Sequence, residues 1–311
     1  MKRELGYIGL GRMGASIVEN LLDKSASIVV YNRTKEITDE FLLKRQNDVG
    51  RGRLKGVYSL EAVAQNLELP RVIWIMIKAG DAVDKTILNL IPYINKGDVI
   101  IDGGNSFYKD SIRRANELSE LGIGYLDAGT SGGISGARNG ACIMIGGEKE
   151  VFEKAEWVFK KASCSNGYMH VGDSGSGHFT KMVHNFTEYG MEQVLAEGVS
   201  LLKKGMEQFG IIEKESEICR LWNNGSIIES RLLKDLAVAL EKGIVDSITG
   251  EVGGGETGEW ASLSAKELKV PVPACDIALN QRYYSRMKDN YSGKLIAGMR
   301  NVFGEHEVRK K

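Results

Sequence analysis

The sequence predicts an α/β Rossmann-type doubly wound sheet followed by an all-α C-terminal domain. A glycine-rich turn, GLGRMG, stands between a strand pattern and a helical pattern at the start of the chain. Further apolar runs alternate with helical stretches up to about residue 174, as a parallel sheet covered by helices requires. From about Gly175 onward the strand pattern disappears. We therefore expect two domains, residues 1–174 and residues 175–311.

The overall composition limits the partners that the chain is expected to bind. The chain has 311 residues, and its 41 basic side chains balance 41 acidic ones. With no net charge and no basic stripe, a nucleic-acid partner is not favoured. The four cysteines form no CxxC pair, the four histidines lack the spacing of a metal site, and no apolar run could span a bilayer. These features predict a cytoplasmic protein with reduced thiols and neither a metal nor a membrane partner.

The first predicted strand and helix surround a GxGxxG turn. Residues 4–9 (ELGYIG) form the strand pattern, and a helical stretch follows the turn. In this order of elements, the first glycine allows the tight turn, the second lets the backbone approach a pyrophosphate, and the third lets the helix pack on the strand. The helix N-terminus then faces the phosphates. The turn therefore predicts a dinucleotide site formed by Gly9, Leu10, Gly11, Arg12, Met13 and Gly14.

The end of the second strand predicts which dinucleotide is bound. The strand pattern SIVVY ends at Tyr31 and is followed by Asn32, Arg33 and Thr34. An NAD site usually has an acidic residue here for the ribose diol, and this chain has none. Arg33 can stack on adenine and neutralise a 2′-phosphate, with Asn32 and Thr34 as hydrogen-bond partners. We therefore expect NADP. NAD stays open, and a plain surface turn is the alternative interpretation of Arg33.

Three further strand patterns are each followed by a polar, glycine-containing segment. Two strands are predicted at residues 71–77 and 98–102, and a third begins at residues 124–127. The segments after them are KAG (78–80), GGNS (103–106) and a loop, AGTSGGISGARNG (128–140). Loops at the carboxyl ends of parallel strands form the ligand crevice of an open sheet. The two glycine-rich loops together favour a polyhydroxylated ligand, although each alone is also typical of an ordinary turn.

A long helix is predicted from about Gly175, and one of its faces is unusually polar. Lys181, His184, Asn185 and Glu188 fall at i, i+3, i+4 and i+7, so they share one face two turns long. This face offers a candidate base, two hydrogen-bonding groups and a candidate acid. The alternative is a solvated face with a Lys–Glu pair. We expect Gly205 to end the helix, and the neighbouring apolar side chains to pack: Met182, Val183, Phe186 and Met191.

These motifs together resemble the decarboxylating 6-phosphogluconate dehydrogenase family. In chain order they are IGLGRMG, YNRT, IKAG, IIDGGNS, SGGISGAR, GHFTKMVHNFTEYG, ETGEW, VPVPACDIALNQR and RNVFGEH. They span nearly the whole chain, and DGGNS together with KMVHNxxEYG distinguishes this family from other β-hydroxyacid dehydrogenases. The chain is far shorter than the common long form. It therefore resembles the short-chain branch, with a single helical unit after the Rossmann domain.

The resemblance implies a reaction and a role for each matching residue. The reaction is oxidative decarboxylation of 6-phospho-D-gluconate to ribulose 5-phosphate, as in the pentose phosphate pathway and gluconate utilization. Lys181 matches the family's general base and Glu188 its general acid. Groups that hold the sugar acid are matched by Asn105, Ser131, Gly132, Gly133, His184 and Asn185. Groups around the substrate phosphate are matched by Tyr189, Thr257, Arg282, Arg300 and His306. The cofactor positions add Ile77, Lys78, Ala79 and Asn105 to the turn residues and to Asn32, Arg33 and Thr34.

The resemblance also implies an oligomer. Arg300 and His306 match a tail that the family donates to the site of a neighbouring subunit. A homo-oligomer is therefore expected, with a dimer as the smallest functional unit and a tetramer as an open alternative.

One of two departures from the family pattern bears on substrate binding; the other, the middle glycine of GLGRMG where the long form often has alanine, is expected to have no large effect. Where the long form has a phosphate-binding lysine, this chain has Gly255, and Glu256 and Glu259 follow it. A carboxylate beside a phosphate is unfavourable unless it is paired or points away. The segment GEVGGGETGEW is expected to be a loop and a candidate lid. Two alternatives stay open: a dehydrogenase of an unphosphorylated sugar acid or another 3-hydroxy acid, and a catalytically silent NADP-binding subunit.

Overall fold

The computed structural model describes residues 4–311 of the chain. It divides into two compact units, the first ending at Lys181 and the second spanning Met182–Lys311. A long helix, Ser176–Phe209, begins in the first unit and continues into the second. We propose to keep 1–174 and 175–311 as the functional domains, because the last strand ends at Gly172 before this helix begins.

The first unit contains an eight-stranded sheet of the predicted Rossmann type. In the sheet the strands lie in the order 3-2-1-4-5-6-7-8. The first six are parallel, whereas the seventh is antiparallel to the sixth and parallel to the eighth. The chain reverses its direction of winding between the first and fourth strands, which is where open α/β sheets bind ligands. The strands are β1 (Glu4–Ile8), β2 (Ser27–Tyr31), β3 (Leu54–Val57), β4 (Val72–Ile75), β5 (Val99–Asp102), β6 (Gly124–Ser131), β7 (Ala141–Gly146) and β8 (Ser163–Gly172).

Helices connect these strands and cover both faces of the sheet. They are α1 (Arg12–Asp23), α2 (Lys35–Lys44), α3 (Gln46–Gly50), α4 (Leu60–Gln65), α5 (Asp81–Leu90) with a 3-10 turn at Ile91–Tyr93, α6 (Tyr108–Glu120), α7 (Gly133–Asn139) and α8 (Lys149–Ala162). The sequence pattern did not predict β3 or α2–α4. β3 has only four residues, LKGV, with a lysine and a glycine at its centre, so it carries almost no periodicity.

Segment 128–140 differs from the predicted loop. β6 continues through Ser131, and α7 follows almost at once. Gly132 makes this sharp junction with a φ of +118°, a conformation that side chains other than glycine rarely adopt. The glycines therefore serve a strand-to-helix junction and a short helix.

Trp74 lies at the centre of the buried core on one face of the sheet. Its ring centroid is 5.8 Å from that of Tyr7 and 5.7 Å from that of Phe159. A β-carbon on Gly103 would lie 1.9 Å from Trp74 Nε1, so the backbone after β5 rests directly on the indole. The other face has its own apolar core, which includes Ile8, Ile73 and Ile100. Both faces are buried, as expected for parallel strands.

The second unit is helical, as predicted. Its core includes Ala196, Leu233, Leu236, Leu295 and Met299. Its helices are the remainder of α9 (Ser176–Phe209), then α10 (Glu215–Trp222), α11 (Arg231–Glu241), α12 (Ile244–Ser247), α13 (Glu256–Glu267), α14 (Pro273–Tyr284) and α15 (Tyr291–Gly304). No helix within residues 4–311 has the length and apolarity needed to cross a membrane.

Two helix boundaries in this unit differ from the expectation. α9 does not stop at Gly205 but runs to Phe209, and Gly210 follows with a φ of +65°. A glycine with ordinary helical backbone is tolerated inside a helix. Only the first part of the expected loop GEVGGGETGEW, up to Gly255, lies outside a helix. The remaining residues, ETGEW, form the start of α13.

Candidate active site

The turn after β1 has the shape that dinucleotide binding requires. Gly9 has a φ of +104°, and a β-carbon there would lie 2.3 Å from Met76 O. A β-carbon on Gly14 would lie 2.2 Å from Gly9 O, so α1 can approach β1 only with glycine at this position. At Gly11, by contrast, a β-carbon would meet no described atom within 4 Å. The backbone is open there, and α1 begins without a side-chain cap, so its first N–H groups suit a pyrophosphate.

Asn32 holds the segment at the end of β2 against this turn. Leu10 N donates to Asn32 Oδ1 at 3.1 Å, and Asn32 Nδ2 donates to Thr34 O at 3.2 Å. The amide of Asn32 is therefore engaged with backbone, and its contribution is the position of the turn. Arg33 and Thr34 are exposed beside it, where they could meet a ligand from the solvent side.

A buried ion pair joins the segments that follow β4 and β5. Asp102 is fully buried and accepts hydrogen bonds from Ser106 Oγ at 2.8 Å and from Arg114 Nη1 at 3.3 Å. Arg114, also buried, donates to Gly80 O at 3.2 Å. The two segments are thus held together, with Asn105 exposed at the tip of the second. The first contains the predicted cofactor residues Ile77, Lys78 and Ala79. Sequence reasoning missed Arg114, because a single arginine in a helical stretch gives no sign of burial.

The predicted substrate residues Ser131, Gly132 and Gly133 form the junction between β6 and α7. Gly132 and Gly133 both have positive φ, at +118° and +62°. A β-carbon on Gly132 would lie 3.0 Å from Gly136 Cα. The junction therefore presents bare backbone, with no side-chain cap at the start of α7, and such backbone can bind hydroxyl or carboxylate groups.

Asp127 fixes the start of α9 on the sheet. It lies in β6 and is fully buried. Its Oδ1 accepts from Gly175 N at 2.7 Å and its Oδ2 from His178 N at 2.8 Å. A carboxylate at a helix N-terminus also interacts favourably with the helix dipole. No sequence pattern indicates this role, since the partners lie about fifty residues away along the chain.

Two glycines let α9 lie directly against the sheet where it carries Lys181. A β-carbon on Gly177 would lie 2.4 Å from Asp127 O, and one on Gly129 would lie 2.3 Å from Lys181 Cβ. Lys181 is itself buried, with 8% of its surface exposed. Its stem is therefore held in a fixed position against the backbone of β6.

Further along α9, three predicted residues contact one another. His184 Nδ1 lies 3.2 Å from Asn185 Oδ1 and 3.7 Å from Glu188 Oε2. All three are half-buried, so they can meet both the protein and a ligand. Together with Lys181 they have the predicted spacing on a single helix.

The apolar residues between them do not all pack within the chain. Met182 and Phe186 are buried as expected, but Val183 and Met191 are exposed. The expectation of packing is therefore wrong for these two side chains within one chain.

Two predicted arginines meet around a buried carboxylate in the second unit. The guanidinium carbon of Arg282 lies 3.5 Å from the centre of the Tyr189 ring, and its Nη2 donates to Glu192 Oε2 at 2.6 Å. Arg300 Nε lies 4.0 Å from Glu192 Oε1, and Arg300 Nη1 donates to Gly253 O at 2.7 Å. Burial and the neighbouring Arg282 lower the pKa of Arg300. Two guanidinium groups against one carboxylate leave excess positive charge, which suits an anionic group. We call Tyr189, Glu192, Arg282 and Arg300 the arginine cluster.

α13 packs on this cluster through its first turn. A β-carbon on Gly258 would lie 2.8 Å from Tyr189 Cε2. Thr257, the neighbouring predicted residue, is buried. The predicted phosphate-end residues Tyr189, Thr257, Arg282 and Arg300 thus belong to one region of the second unit.

Gly255 does not leave room for the lysine of the long form. Its φ is +141°, and a β-carbon there would lie 2.7 Å from the hydroxyl oxygen of Tyr283. That hydroxyl donates to Glu259, and burial together with Glu259 raises the pKa of Tyr283 to about 12. Glu256 is exposed at the start of α13. The carboxylate that faces the arginines is Glu192, which sequence reasoning missed. Among the described residues, neither Glu256 nor Glu259 forms an ion pair with Arg282 or Arg300.

Arg300 and His306 occupy different surroundings. Arg300 lies inside α15 and contacts Gly253 and Glu192 of its own chain. His306 is exposed beyond the end of α15, with its ring edge-on to Phe303 at 5.7 Å between centroids. Donation of these residues to a neighbouring subunit stays a prediction.

Both parts of the chain match models of one protein family. Residues 4–172 match the NAD binding domain of 6-phosphogluconate dehydrogenase. Residues 177–294 match the 6-phosphogluconate dehydrogenase C-terminal domain.

Similar proteins of equal and of greater length are known. The chain is 40% identical over 309 residues to a Bacillus subtilis (strain 168) protein that is itself only provisionally assigned as a 6-phosphogluconate dehydrogenase, with 99% of this chain and 100% of the relative covered. It is 38% identical over 311 residues to the NAD(+)-dependent, decarboxylating 6-phosphogluconate dehydrogenase of Haloferax volcanii, with 99% of each covered. A solved Plasmodium falciparum 6-phosphogluconate dehydrogenase, described in its apo form and in complex with its cofactor NADP+ and with its substrate 6-phosphogluconate, matches with a TM-score of 0.82 at 34% identity. That match covers 91% of this chain and 62% of the Plasmodium chain.

Proposed function

We propose, from the premise that this chain belongs to the 6-phosphogluconate dehydrogenase family, that it converts 6-phospho-D-gluconate to ribulose 5-phosphate and carbon dioxide while reducing NADP. The chain is an oxidoreductase of that family with a nicotinamide dinucleotide domain. The observation that carries the finer assignment is the arginine cluster, in which Arg282 stacks on Tyr189, the residue directly after the proposed acid Glu188. A reacting centre followed by an anion site is what a phosphorylated sugar acid requires.

The proposed chemistry begins at Lys181. Its uncharged amine accepts the proton of the substrate C3 hydroxyl while the C3 hydride leaves. The nicotinamide of the bound dinucleotide supplies the hydride acceptor. The resulting β-keto acid loses carbon dioxide, and protonated Lys181 stabilises the negative charge that develops on the C3 oxygen.

Glu188 completes the reaction in this proposal. It delivers a proton to C1 of the enediol and so yields the ketone. Glu188 lies seven positions after Lys181 on the same helix, which is about 10 Å along the helix axis. Two long side chains and the substrate can bridge that distance. His184 and Asn185, which contact each other between these positions, hold substrate hydroxyl groups. Asn105, Ser131, Gly132 and Gly133 are proposed to hold the rest of the sugar acid.

The dinucleotide is proposed to lie on the β1–α1 turn. Gly9, Leu10, Gly11, Arg12, Met13 and Gly14 are its proposed phosphate-binding residues, and the open backbone at Gly11 supports this fit. Arg33, with Thr34, is proposed to meet the 2′-phosphate of NADP, because this strand end lacks the acid that NAD sites use. The Haloferax relative is NAD(+)-dependent, so the choice between the two cofactors is a proposal.

One observation favours a second candidate, a dehydrogenase of an unphosphorylated sugar acid. Gly255 stands where the long form has its phosphate-binding lysine, and the hydroxyl of Tyr283 leaves no room there for a larger side chain. The absence of that lysine weakens the attraction for a phosphate. A silent NADP-binding subunit is less well supported, because both Lys181 and Glu188 are present.

We further propose that the chain works as a homodimer. Five apolar residues of α9 are exposed at near-helical spacing, and we call them the apolar stripe: Val183, Met191, Val194, Leu201 and Phe209. An exposed row of this kind commonly marks a protein interface. A cytoplasmic location stays a prediction from cysteine usage.

The test is a rate assay with NADP in excess that compares 6-phosphogluconate with gluconate. Reduced nicotinamide and carbon dioxide are followed together. We expect fast, equimolar formation of both from the phosphorylated acid. Turnover of gluconate alone, or reduction without carbon dioxide, would move the assignment to the second candidate, and no turnover of any sugar acid would favour the silent subunit.

A further inference from the structure

Glu192 is the one carboxylate inside the arginine cluster, and its position is unusual for a charged group. Only 1% of its surface is exposed. It pairs with Arg282 at 2.6 Å through Oε2, whereas Oε1 lies 4.0 Å from Arg300. Among the described residues, neither Glu192 Oε1 nor Arg282 Nη1 has a hydrogen-bond partner. The cluster therefore holds two buried side-chain atoms, one on Glu192 and one on Arg282, that lack a hydrogen-bond partner among the described residues.

The charges around Glu192 decide whether it stays ionised. Arg282 from α14 and Arg300 from α15 favour its ionised form, while Glu188 from its own helix opposes it and Tyr189 lies alongside. Burial has the largest effect, and it raises the pKa of Glu192 to about 7 despite both arginines. The site thus has a net charge of about +1 with Glu192 ionised and about +2 with it protonated, counting each arginine as fully charged. A phosphate monoester is a dianion near neutral pH, so only the protonated site matches its charge.

We infer that Glu192 is a specificity-determining residue, which partly neutralises Arg282 and Arg300 in the free protein and takes up a proton from solvent when a phosphate ester binds. The inference rests on the proposed function, in that Arg282 and Arg300 bind the phosphorylated end of the substrate. The binding step is a simple exchange: the Glu192–Arg282 pair is given up, both arginines turn to the ligand, and one proton moves from water to the carboxylate. A neutral hydroxyl, as in gluconate, cannot displace an ionised carboxylate from an arginine, so the device selects for the phosphorylated acid.

The sign of the pH dependence follows from this exchange. Well below pH 7 most Glu192 side chains are already protonated, and ligand binding takes up few protons. Well above pH 7 most are ionised in the free protein and must gain a proton, so affinity falls as the pH rises. The limiting slope is about tenfold in Kd per pH unit for one proton.

The experiment is isothermal titration of the full chain with 6-phosphogluconate, without dinucleotide, at pH 8. It is repeated in phosphate-free buffers of different ionisation enthalpy, which gives the number of protons taken up. We expect wild type to take up between about half a proton and one proton, and Glu192→Gln to take up close to none. The Kd of Glu192→Gln should also stay level between pH 7 and 8.5, while that of wild type rises. Glu197→Gln, an exposed carboxylate on the same helix, is the matched control and should behave as wild type.

The outcomes separate this inference from the proposed function. Equal proton uptake by wild type and Glu192→Gln, or none by wild type, overturns the inference even if 6-phosphogluconate is turned over. Binding with proton uptake but without turnover overturns the proposed function and leaves the inference standing. Absence of binding overturns both. If Glu192→Gln does not fold, the proton count and the pH dependence of Kd in wild type decide the matter.

Discussion

Lys181 is the side chain on which the proposed chemistry depends most directly. It is buried where α9 meets β6, so its stem has little freedom to move. We expect Lys181→Met, which keeps the length and loses the amine, to reduce kcat by about 10²–10⁴-fold, because proton transfer by a positioned base contributes that much. Steady-state kinetics with 6-phosphogluconate and NADP measure the loss.

The matched control for this substitution is Lys204→Met, since Lys204 is exposed on the same helix. It should leave kcat within about twofold of wild type, as expected for a surface change. Binding of NADP, measured by fluorescence titration, should survive in both variants. Undiminished turnover by Lys181→Met would exclude Lys181 as the base.

Arg33 is the side chain to test for cofactor choice. It is exposed at the end of β2, where Asn32 fixes the backbone. We expect Arg33→Asp to raise KM for NADP by at least about tenfold and to leave KM for NAD unchanged or lower, because a charge-assisted contact with the 2′-phosphate is replaced by repulsion. Arg51→Asp is the control, because Arg51 is also an exposed arginine of the first unit. An equal effect on both cofactors would contradict the 2′-phosphate assignment.

Single residues also show where sequence reasoning stops. Lys181, Glu188 and the arginines could be named from motifs, because those motifs are local. Asp127, Arg114 and Glu192 could not, because each acts through burial and through partners far away in the sequence. For Glu259 the sequence position was misleading in the opposite way. This carboxylate is close to Gly255 in sequence, but in the structure it accepts a hydrogen bond from Tyr283.

Among the elements, α9 is the one whose position matters most, and Gly177 is one of its close contacts with the sheet. A β-carbon there would lie 2.4 Å from Asp127 O and 2.6 Å from Gly146 N, and backbone atoms cannot rotate away. We expect Gly177→Ala to reduce unfolding free energy by about 1–3 kcal/mol and to lower kcat, because the start of the helix must shift. Urea unfolding monitored by circular dichroism measures the first effect.

Gly50→Ala is the control for this substitution. Gly50 is a helical glycine at which a β-carbon would meet no described atom within 4 Å. Its unfolding free energy should stay within about 0.5 kcal/mol of wild type. Equal stability of the Gly177 variant would show that α9 does not rest on the sheet as closely as described.

Elements with strong periodicity were predicted well, and those governed by backbone conformation were not. β2 and β5 fall almost where the pattern puts them, since apolar spacing reports burial directly. The prediction of a loop at residues 128–140 rested on the glycines of this segment. In the structure Gly132, with its positive φ, forms a direct junction between β6 and α7. The expected lid was too long for a similar reason, because ETGEW begins α13 at Glu256, directly after Gly255.

For the molecule as a whole, the apolar stripe gives the clearest expectation. Leu201 and Phe209 keep 75% and 73% of their surface exposed, which is costly for side chains of this size unless a partner covers them. We expect Val194→Glu/Leu201→Glu to shift the protein from dimer to monomer in sedimentation velocity, because two buried carboxylates would face an apolar surface. Sedimentation of wild type as a monomer would contradict the proposed dimer.

The control for the double variant is Glu207→Lys. This residue is exposed on α9 about a third of a turn away from Leu201. It changes charge on the same helix without entering the stripe, so the oligomer should be unaffected. Dissociation of this variant as well would point to a general electrostatic effect.

The enclosed position of the Trp74 indole affects its fluorescence. Its indole is wholly enclosed, lies against Tyr7 and Phe159, and touches the backbone at Gly103, two residues before Asn105. An indole shielded from water emits at shorter wavelength than an exposed one, and its emission responds to small displacements of polar backbone nearby. The protein therefore carries a natural fluorophore beneath the segment proposed to meet both ligands, and with Trp157, Trp222 and Trp260 replaced its emission should report occupancy without an attached dye.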